Sequence, residues 1–360
     1  MEIVYILTFF VLGTFVGGYA TTWIERLPYD DEFHLQIFEE LGGDDQEVEV
    51  HWWMRLPFAM FFADSPFDYP LKWYDKVPLL PHFVYAFKFA RFKKLVPRSH
   101  CRLCRTNISW IHRIPLVSFI LLGGRCAACR TKIPGRMPVV ELLTGLGYAL
   151  MAYRFGFCWL TLLALFVTTL FIVASVVDWR HRIIPDELNV LGLLGSVGFV
   201  LMTTILVQFQ IVRDVDVVSR LGDYTFYYSR LNLEKATLGF LTCAGALYLF
   251  AEIGGVLAGT DAMGGGDIKL AGWVGVLLGP RGAAVALFYS ILIAAPCGVL
   301  VLILGAGKRE GGFTKFAFGP YICMGAGLVL YYGTNRMIYA YVEMYSLAQR
   351  YVQQIVDFLV

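Results

Sequence analysis

Charged residues are scarce in this chain: Asp, Glu, Lys and Arg make up 16% of its 360 residues, against about 25% in soluble domains. Hydrophobic residues account for 58%, which excludes an ordinary soluble enzyme. The net charge is only +2 and the basic residues form no continuous stripe, so we expect no nucleic-acid partner. No positively charged segment precedes the first apolar run, as it would in a secretory signal, and we therefore interpret that run as a retained anchor.

Long apolar runs recur along the chain, and most approach the ~20 residues needed to cross a ~30 Å hydrocarbon core. The four strongest candidates, all uncharged and of 21 to 25 residues, are 3–23, 157–177, 188–212 and 283–307. Weaker candidates are 138–153, 236–258, 316–334 and the short run 270–280. The sequence therefore predicts an all-α polytopic membrane protein with about eight transmembrane helices.

The distribution of basic residues predicts the orientation of these helices. Residues 88–136 hold twelve Lys and Arg residues and no acidic one. Because cytoplasmic loops carry an excess of Lys and Arg, this segment should be cytoplasmic and the N-terminus outside. Counting onward, the turn 178–186 is also cytoplasmic and the loop 213–235 is outside.

We divide the chain into five parts on composition. They are the first transmembrane helix 1–28, a cytoplasmic or interfacial insertion 29–97, a cytoplasmic tetracysteine segment 98–137, a transmembrane core 138–334 and an amphipathic C-terminal tail 335–360. Within the insertion, 30–50 carries nine acidic residues and no Lys or Arg, and closely spaced aromatic residues follow. This pattern fits a solvated loop followed by an interfacial segment, or a small soluble subdomain.

Two CxxC pairs form the strongest local signal. Cys101 and Cys104 are separated from Cys126 and Cys129 by 21 residues, in a basic polar stretch. Two such turns can present four thiolates tetrahedrally to Zn²⁺, and a tetrathiolate site is structural because it leaves no position open for water. Redox dithiols and ordinary free thiols are the alternatives, whereas disulfides are disfavoured in a reducing cytoplasm.

Two aspartates, Asp178 and Asp267, each adjoin an apolar run at the predicted cytoplasmic boundary. Ionisable groups at such depth are costly and indicate function. Two carboxyls a few Å apart in a low dielectric cannot both be charged, so the pair would share one proton. The ionised member could then activate water while the protonated member polarises a peptide carbonyl.

The residues around Asp267 form a short signature that we assign to substrate approach. It consists of Gly264, Gly265, Gly266 and Lys269. The three glycines have no side chains, so the backbone of an extended substrate could come close to Asp267. Each aspartate alone also has a simpler interpretation. Asp178 could be a solvated residue at a helix end, and Asp267 could cap a helix after a glycine turn. Asp186 and Asp261 are nearby acidic residues with similar structural explanations.

Together these features resemble the type IV prepilin peptidases, which are polytopic intramembrane aspartic proteases. The resemblance lies in the tetracysteine unit, the turn from Asp178 to Pro185, the element ending in Asp267 and Lys269, and Phe318-Gly319-Pro320. The stretches 25–28, 124–126 and 136–141 also resemble the family. In all, the resemblance covers about residues 13–28 and 98–333.

By this resemblance, Asp178 and Asp267 would be the catalytic aspartates, and Gly264 and Gly266 would belong to the GxGD signature. The family cuts the positively charged leader from prepilins and pseudopilins on the cytoplasmic side of the bacterial inner membrane. These substrates, which serve type IV pili or type II secretion, and the lipid bilayer would be the partners. Many members then methylate the new N-terminus, and S-adenosylmethionine would be the cofactor of that reaction. The acidic stretch 30–50 could attract the leader.

The chain departs from the family pattern at several places. The insertion and the C-terminal tail have no counterpart, and Thr21 and Arg113 stand where the family usually has Asn. These departures bear on methylation, which is associated with the region around the cysteines, and leave the protease expectation intact. An alternative function is a proton- or cation-coupled transporter subunit with a structural zinc site. A pilus-assembly scaffold that kept the fold without activity is a third.

Overall fold

The fold is known from a computed structural model that describes most of the chain. The described residues are 2–26, 101, 104, 106, 108–109, 112, 114–156, 159–208, 216–218, 225–227, 233–258, 263–304, 309–310, 313–314 and 317–359. The predicted insertion therefore lies outside the described residues, as do Arg113 and Asp261. Helices dominate the described part, which confirms the all-α prediction.

The elements follow one another in a simple order. They are α1 (Glu2–Arg26), α2 (Val117–Leu121), α3 (Arg136–Phe155), α4 (Trp159–His181), α5 (Asp186–Gln208), β1 (Asp216–Val218), β2 (Thr225–Tyr227), α6 (Leu233–Ala258), α7 (Gly265–Leu304), β3 (Arg309–Glu310), β4 (Phe313–Thr314), α8 (Gly319–Tyr332) and α9 (Thr334–Leu359). The strands form two antiparallel hairpins, β1 with β2 and β3 with β4. Neither hairpin was predicted, since both lie in loops between apolar runs.

Within the described residues, each apolar run that the sequence singles out lies mostly or wholly in a helix. In the described part of the chain, four helical stretches are long and apolar enough to cross a membrane: 3–21, 160–181, 233–256 and 265–300. The chain is thus a membrane protein with a helical core. The tail also forms a helix, α9, whose side chains are mostly exposed beyond Met337.

Helix boundaries follow local chemistry. α5 begins directly after Pro185 and has Asp186 and Glu187 in its first turn, where negative charge is favoured by the helix dipole. α3 is followed by Gly156 and α8 by Gly333, which have φ of 67° and 88°. Glycine adopts this left-handed region at no steric cost, so both helices stop there.

The long helix α7 consists of two legs. Gly279 interrupts it with φ 69° and ψ 174°, immediately before Pro280. A proline has no N–H to donate and disfavours helical geometry at the preceding residue, so the break falls where the sequence places it. The first leg is only about 21 Å long at 1.5 Å per residue. This agrees with the separate runs 270–280 and 283–307 in the sequence.

The first leg of α7 lies at the centre of the helical bundle. α5, α6 and α8 all pack against α7, while α1 packs against α3 and both contact α4. Trp273, which is 1% exposed, stacks on Phe171 of α4 with ring centroids 5.4 Å apart. Gly192 of α5 leaves the space that this indole occupies. The centre of the bundle therefore fixes α7 relative to the end of α4 and the start of α5.

Candidate active site and metal centre

Asp178 lies in the last turn of α4 and is almost fully buried, at 4% exposure. Its Oδ2 atom accepts a hydrogen bond of 2.9 Å from the backbone N–H of Gly319, the first residue of α8. Its own carbonyl accepts one of 2.8 Å from the N–H of Arg182. The Arg182 guanidinium also attracts the Asp178 carboxylate electrostatically. Asp178 is therefore held by two elements rather than left in solvent at a helix end.

Asp267 lies in the first turn of α7. Its N–H donates to the carbonyl of Gly264 at 3.2 Å, which closes the glycine turn. Its Oδ1 atom is buried and has no hydrogen-bond partner among the described residues. A buried carboxyl oxygen without a donor is costly in a resting protein and is suited to receiving one from a substrate or a water.

The fold brings Asp178 and Asp267 together at the same end of the bundle. Their carboxyl groups interact electrostatically with each other. The thiol of Cys323, on the second turn of α8, interacts with both carboxyls and is itself buried. Three helices, α4, α7 and α8, thus converge on one polar cluster in an apolar surrounding.

Ile184, in the connection between α4 and α5, lies against the first turns of both α7 and α8. A Cβ added to Gly266 would lie 3.1 Å from the Ile184 Cβ, and one added to Gly319 would lie 2.9 Å from its Cδ1. Gly266 therefore serves close packing of α7 on this connection. Gly264 is exposed and Gly265 is partly buried, so Gly264 has the most open surface of the three glycines.

Lys269 points away from any open surface. It is 3% exposed, and its Nζ atom lies 3.0 Å from Oδ1 of Asp186 at the start of α5. The sequence grouped Lys269 with the residues of substrate approach, and it considered Asp186 only as a helix cap. The two form an ion pair between α7 and α5.

The four cysteines of the two CxxC pairs come together at a second site. Their Sγ atoms all lie within 4.8 Å of one another, and those of Cys101 and Cys129 are 3.7 Å apart. Four sulfurs bound tetrahedrally at about 2.3 Å from a zinc ion would be ~3.8 Å apart. The thiol cluster thus fits a metal ion of this size with small adjustments. Cys243 and Cys323 are buried singly in helices, as expected of small hydrophobes.

The two cysteine turns have the same construction. The N–H of Cys101 donates to the carbonyl of Thr106 at 3.0 Å, and the N–H of Cys126 donates to that of Thr131 at 2.8 Å. Both turns thus close over the same spacing. Hydrogen bonds with the Thr131 side chain and backbone lower the pKa of the Cys129 thiol to about 6, and those with Thr106 lower the pKa of Cys104. These contacts favour the thiolates that a metal requires.

One carboxylate connects the cysteine segment to the bundle. Oε2 of Glu141, on α3, accepts a hydrogen bond of 2.8 Å from the N–H of Leu116, which precedes α2. Leu116 has φ 57°, an unusual conformation for a branched residue. Gly17 and Gly18 of α1 lie against Glu141 on its other side. The exit of the cysteine segment is thereby fixed to the contact between α1 and α3.

Comparison with known proteins agrees with this arrangement. The family described as Bacterial Peptidase A24 N-terminal domain matches residues 11–155, and the Type IV leader peptidase family matches residues 164–299. A prepilin leader peptidase/N-methyltransferase of Neisseria gonorrhoeae is 31% identical over 238 residues, which are 66% of this chain and 72% of the relative. The chain belongs to the type IV leader peptidase family.

Other relatives in this family carry similar names. A prepilin leader peptidase/N-methyltransferase of Pseudomonas aeruginosa is 30% identical over 68% of this chain and 75% of its own length. A type 4 prepilin-like proteins leader peptide-processing enzyme of Escherichia coli is 30% identical over 66% of this chain and 76% of its own length. No solved structure matches the chain significantly.

Two residues of the site, Gly319 and Cys323, could not be predicted from their residue types. Gly319 and Cys323 touch or face the carboxyls, yet nothing in their residue types indicates this. Phe318-Gly319-Pro320 was noticed only for its resemblance to the family. Pro320 is the one sequence signal that could have helped, because proline is common in the first turn of a helix. It would have indicated that a helix begins here and that its first N–H groups can bind a partner outside the helix.

Proposed function

We propose that this protein is an intramembrane aspartic endopeptidase that removes the leader peptide from type IV prepilins or type II secretion pseudopilins. The observation that carries the proposal is the convergence of buried Asp178 and half-buried Asp267 at one end of the bundle, within a chain of the type IV leader peptidase family. Relatives over two thirds of the chain are named for the same activity. A proton- or cation-coupled transporter would account for the buried carboxyls but not for this kinship.

The surroundings of the two carboxyls suggest different roles for them. Asp178 accepts the Gly319 N–H and lies near Arg182, and both contacts stabilise a negative charge. Asp267 has a buried oxygen without a donor, which suits the protonated partner. In this mechanism, ionised Asp178 takes a proton from water as the water attacks the scissile carbonyl carbon. Asp267 donates its proton to the carbonyl oxygen, which gives a tetrahedral diol. As the C–N bond breaks, the proton on Asp178 passes to the leaving amine and one diol hydroxyl returns its proton to Asp267.

We propose that the bundle crosses the bacterial inner membrane about eight times, with the active site at the cytoplasmic face. Apolar side chains on the outside of the helices support a lipid surrounding, for example Val256 at 83% and Ile303 at 75% exposure. α3 and α4 pack together and are joined by a short connection, so the start of α3 and the end of α4 share one side. The basic cysteine segment and Asp178 therefore lie on the same side of the membrane.

We further propose that the cysteine cluster holds one structural Zn²⁺. Cys101, Cys104, Cys126 and Cys129 would be its ligands. All four positions would be filled by sulfur, so the ion would stabilise the segment without binding water. The hydrogen bonds from Thr106 and Thr131 to sulfur are the kind of outer contact that orients metal ligands.

N-terminal methylation is a second candidate activity. The names of the relatives from Neisseria and Pseudomonas include N-methyltransferase, and S-adenosylmethionine would be the methyl donor. The segment through 155 matches the family's N-terminal domain, which covers the cysteines. Thin-layer or mass-spectrometric analysis of the processed N-terminus, with labelled S-adenosylmethionine present, would detect a transferred methyl group.

Cleavage can be tested with purified protein in liposomes and a prepilin-like substrate that carries a basic leader. We expect cleavage at the leader boundary, lost by about 10²–10⁴-fold when either Asp178 or Asp267 becomes Asn, since each supplies proton transfer. Glu252→Gln is the matched control, because Glu252 is an exposed acidic residue of α6 outside the cluster. Full cleavage by either aspartate variant would refute the proposed mechanism.

A further inference from the structure

The ion pair between Lys269 and Asp186 is not explained by the chemistry proposed above. The Lys269 side chain is 3% exposed and its partner is 57% exposed, so the pair reaches from the interior to the rim of the bundle. A buried ammonium is strongly destabilising when its partner is removed. We therefore expect the Lys269–Asp186 ion pair to stay formed while the Lys269 side chain is buried in the bundle.

The ion pair lies on the face of α7 opposite to Asp267, so it can influence the direction of the Asp267 side chain. Lys269 and Asp267 are separated by two helical steps of about 100° each, so their side chains leave α7 in nearly opposite directions. Asp267 lies on the side of α7 where Gly266 packs on Ile184, close to Gly319 and Asp178, whereas the Lys269 side chain reaches the start of α5. An ion pair on one face of a helix restricts the rotation of that helix about its axis. The Lys269–Asp186 pair thereby restricts the direction in which the Asp267 side chain points.

Other contacts near this turn control distance more than rotation. Gly266 lets α7 approach the backbone of Ile184, with an added Cβ only 3.2 Å from the Ile184 carbonyl oxygen. A glycine has no side chain to interlock, so this contact does not itself set the rotation of the first turn, and Trp273, which fixes α7 in the bundle, lies six residues beyond Asp267 along the helix. Asp267 Oδ1 has no hydrogen bond among the described residues that would hold its carboxyl in place. The orientation of Asp267 thus depends on the other face of the helix.

We propose that the Lys269–Asp186 ion pair acts as a rotational lock that aims the Asp267 carboxyl at Asp178. Lys269 and Asp186 are positioning residues for peptide cleavage and do not touch the substrate. This inference rests on the proposed function, since it requires Asp267 to be catalytic. It also assigns a role to Asp186, which connects the α4–α5 turn to α7.

The test measures kcat and KM of leader cleavage for four variants: Lys269→Met, Asp186→Asn, the double variant that combines them, and Lys269→Arg. Misplacement by about 1 Å can cost up to ~10²-fold in rate, so we expect kcat of the first two to fall roughly 10- to 100-fold with KM nearly unchanged. The double variant should lose no more than either single one, because the lock is already open. Lys269→Arg keeps the charge and the reach and should restore most of kcat.

Rates are expressed per folded molecule, with thermal unfolding measured in parallel and Glu252→Gln as the control. If a single variant does not fold, the double variant decides, because it removes both charges and leaves no ammonium buried without its partner; wild-type kcat in the folded double variant would overturn the lock. Unchanged kcat in folded Lys269→Met or Asp186→Asn, while Asp178→Asn and Asp267→Asn are inactive, would overturn the lock alone. Additive losses in the double variant would also overturn it. Full activity of Asp267→Asn would instead refute the proposed function, and the lock with it.

Discussion

The backbone N–H of Gly319 donates a 2.9 Å hydrogen bond to Oδ2 of Asp178, although 141 residues separate them in the chain. The N-terminus of α8 thus provides a partly positive group directly at the carboxylate on α4. Gly319 is the first residue of α8, so its N–H has no acceptor within the helix and is left for Asp178. This contact links the late Phe-Gly-Pro element to the chemistry.

Substitution of Gly319 should disturb this contact directly. A Cβ added there would lie 2.7 Å from Asp178 Oδ2, so Gly319→Ala must push the carboxylate away. We expect a loss of about 10- to 100-fold in kcat from the resulting displacement. Gly327→Ala is the matched control on α8, because a Cβ at Gly327 meets nothing within 4 Å. Equal activity of the two variants in the cleavage assay would show that the Gly319 contact does not position Asp178 for catalysis.

The metal content of the protein tests the cysteine cluster. Protein purified under reducing conditions should contain about one zinc ion per chain by elemental analysis. Cys101→Ser and Cys126→Ser should each lower this content, and they should make the segment 98–137 more sensitive to proteases, because metal binding and local folding are coupled. Cys297→Ser, in α7, should leave the metal content unchanged. Metal-free wild-type protein would contradict the site.

The contact between α6 and α7 predicts a contrast between two glycines of one helix. A Cβ at Gly239 would overlap the carbonyl oxygen of Gly275, whereas a Cβ at Gly245 meets nothing within 4 Å. Gly239→Ala should therefore destabilise the fold by about 1–3 kcal/mol, as overpacking does. Gly245→Ala should be neutral or stabilising by up to about 1 kcal/mol, because alanine favours helix. Thermal unfolding in detergent compares them, and equal melting temperatures would argue against this close approach.

Thiol labelling tests the proposed orientation. Glu234 and Arg180 are both exposed, at the start of α6 and the end of α4. In intact cells, a membrane-impermeant probe should label Glu234→Cys, and Arg180→Cys only after permeabilisation, relative to the parent chain. Labelling of Arg180→Cys in intact cells would invert the topology.

The sequence predicted the helices well, because apolar length is a local property. The separate runs 270–280 and 283–307 also correspond to the two legs of α7, which meet at Gly279. The pairing of Asp178 with Asp267 was inferred from their common boundary, and the fold brings the two into electrostatic contact. Their catalytic roles remain predictions.

The contacts around the carboxyls could not be predicted in the same way. Lys269 pairs with Asp186 because α7 packs on α5, and Gly319 bonds to Asp178 because α8 packs on α4. Residue type suggested that Gly266 would let a substrate backbone approach, and it gave no sign that Gly266 also packs on Ile184. Such partners depend on tertiary structure, which periodicity and composition do not encode.

The most direct test compares Asp178→Asn, Asp267→Asn and the double variant in one cleavage assay. Groups that act as a unit have non-additive effects, so we expect each single variant to lose nearly as much kcat as the double variant, about 10²–10⁴-fold. Glu252→Gln should cleave at the wild-type rate. Losses that multiply in the double variant, or a single variant with wild-type kcat, would contradict a shared catalytic pair.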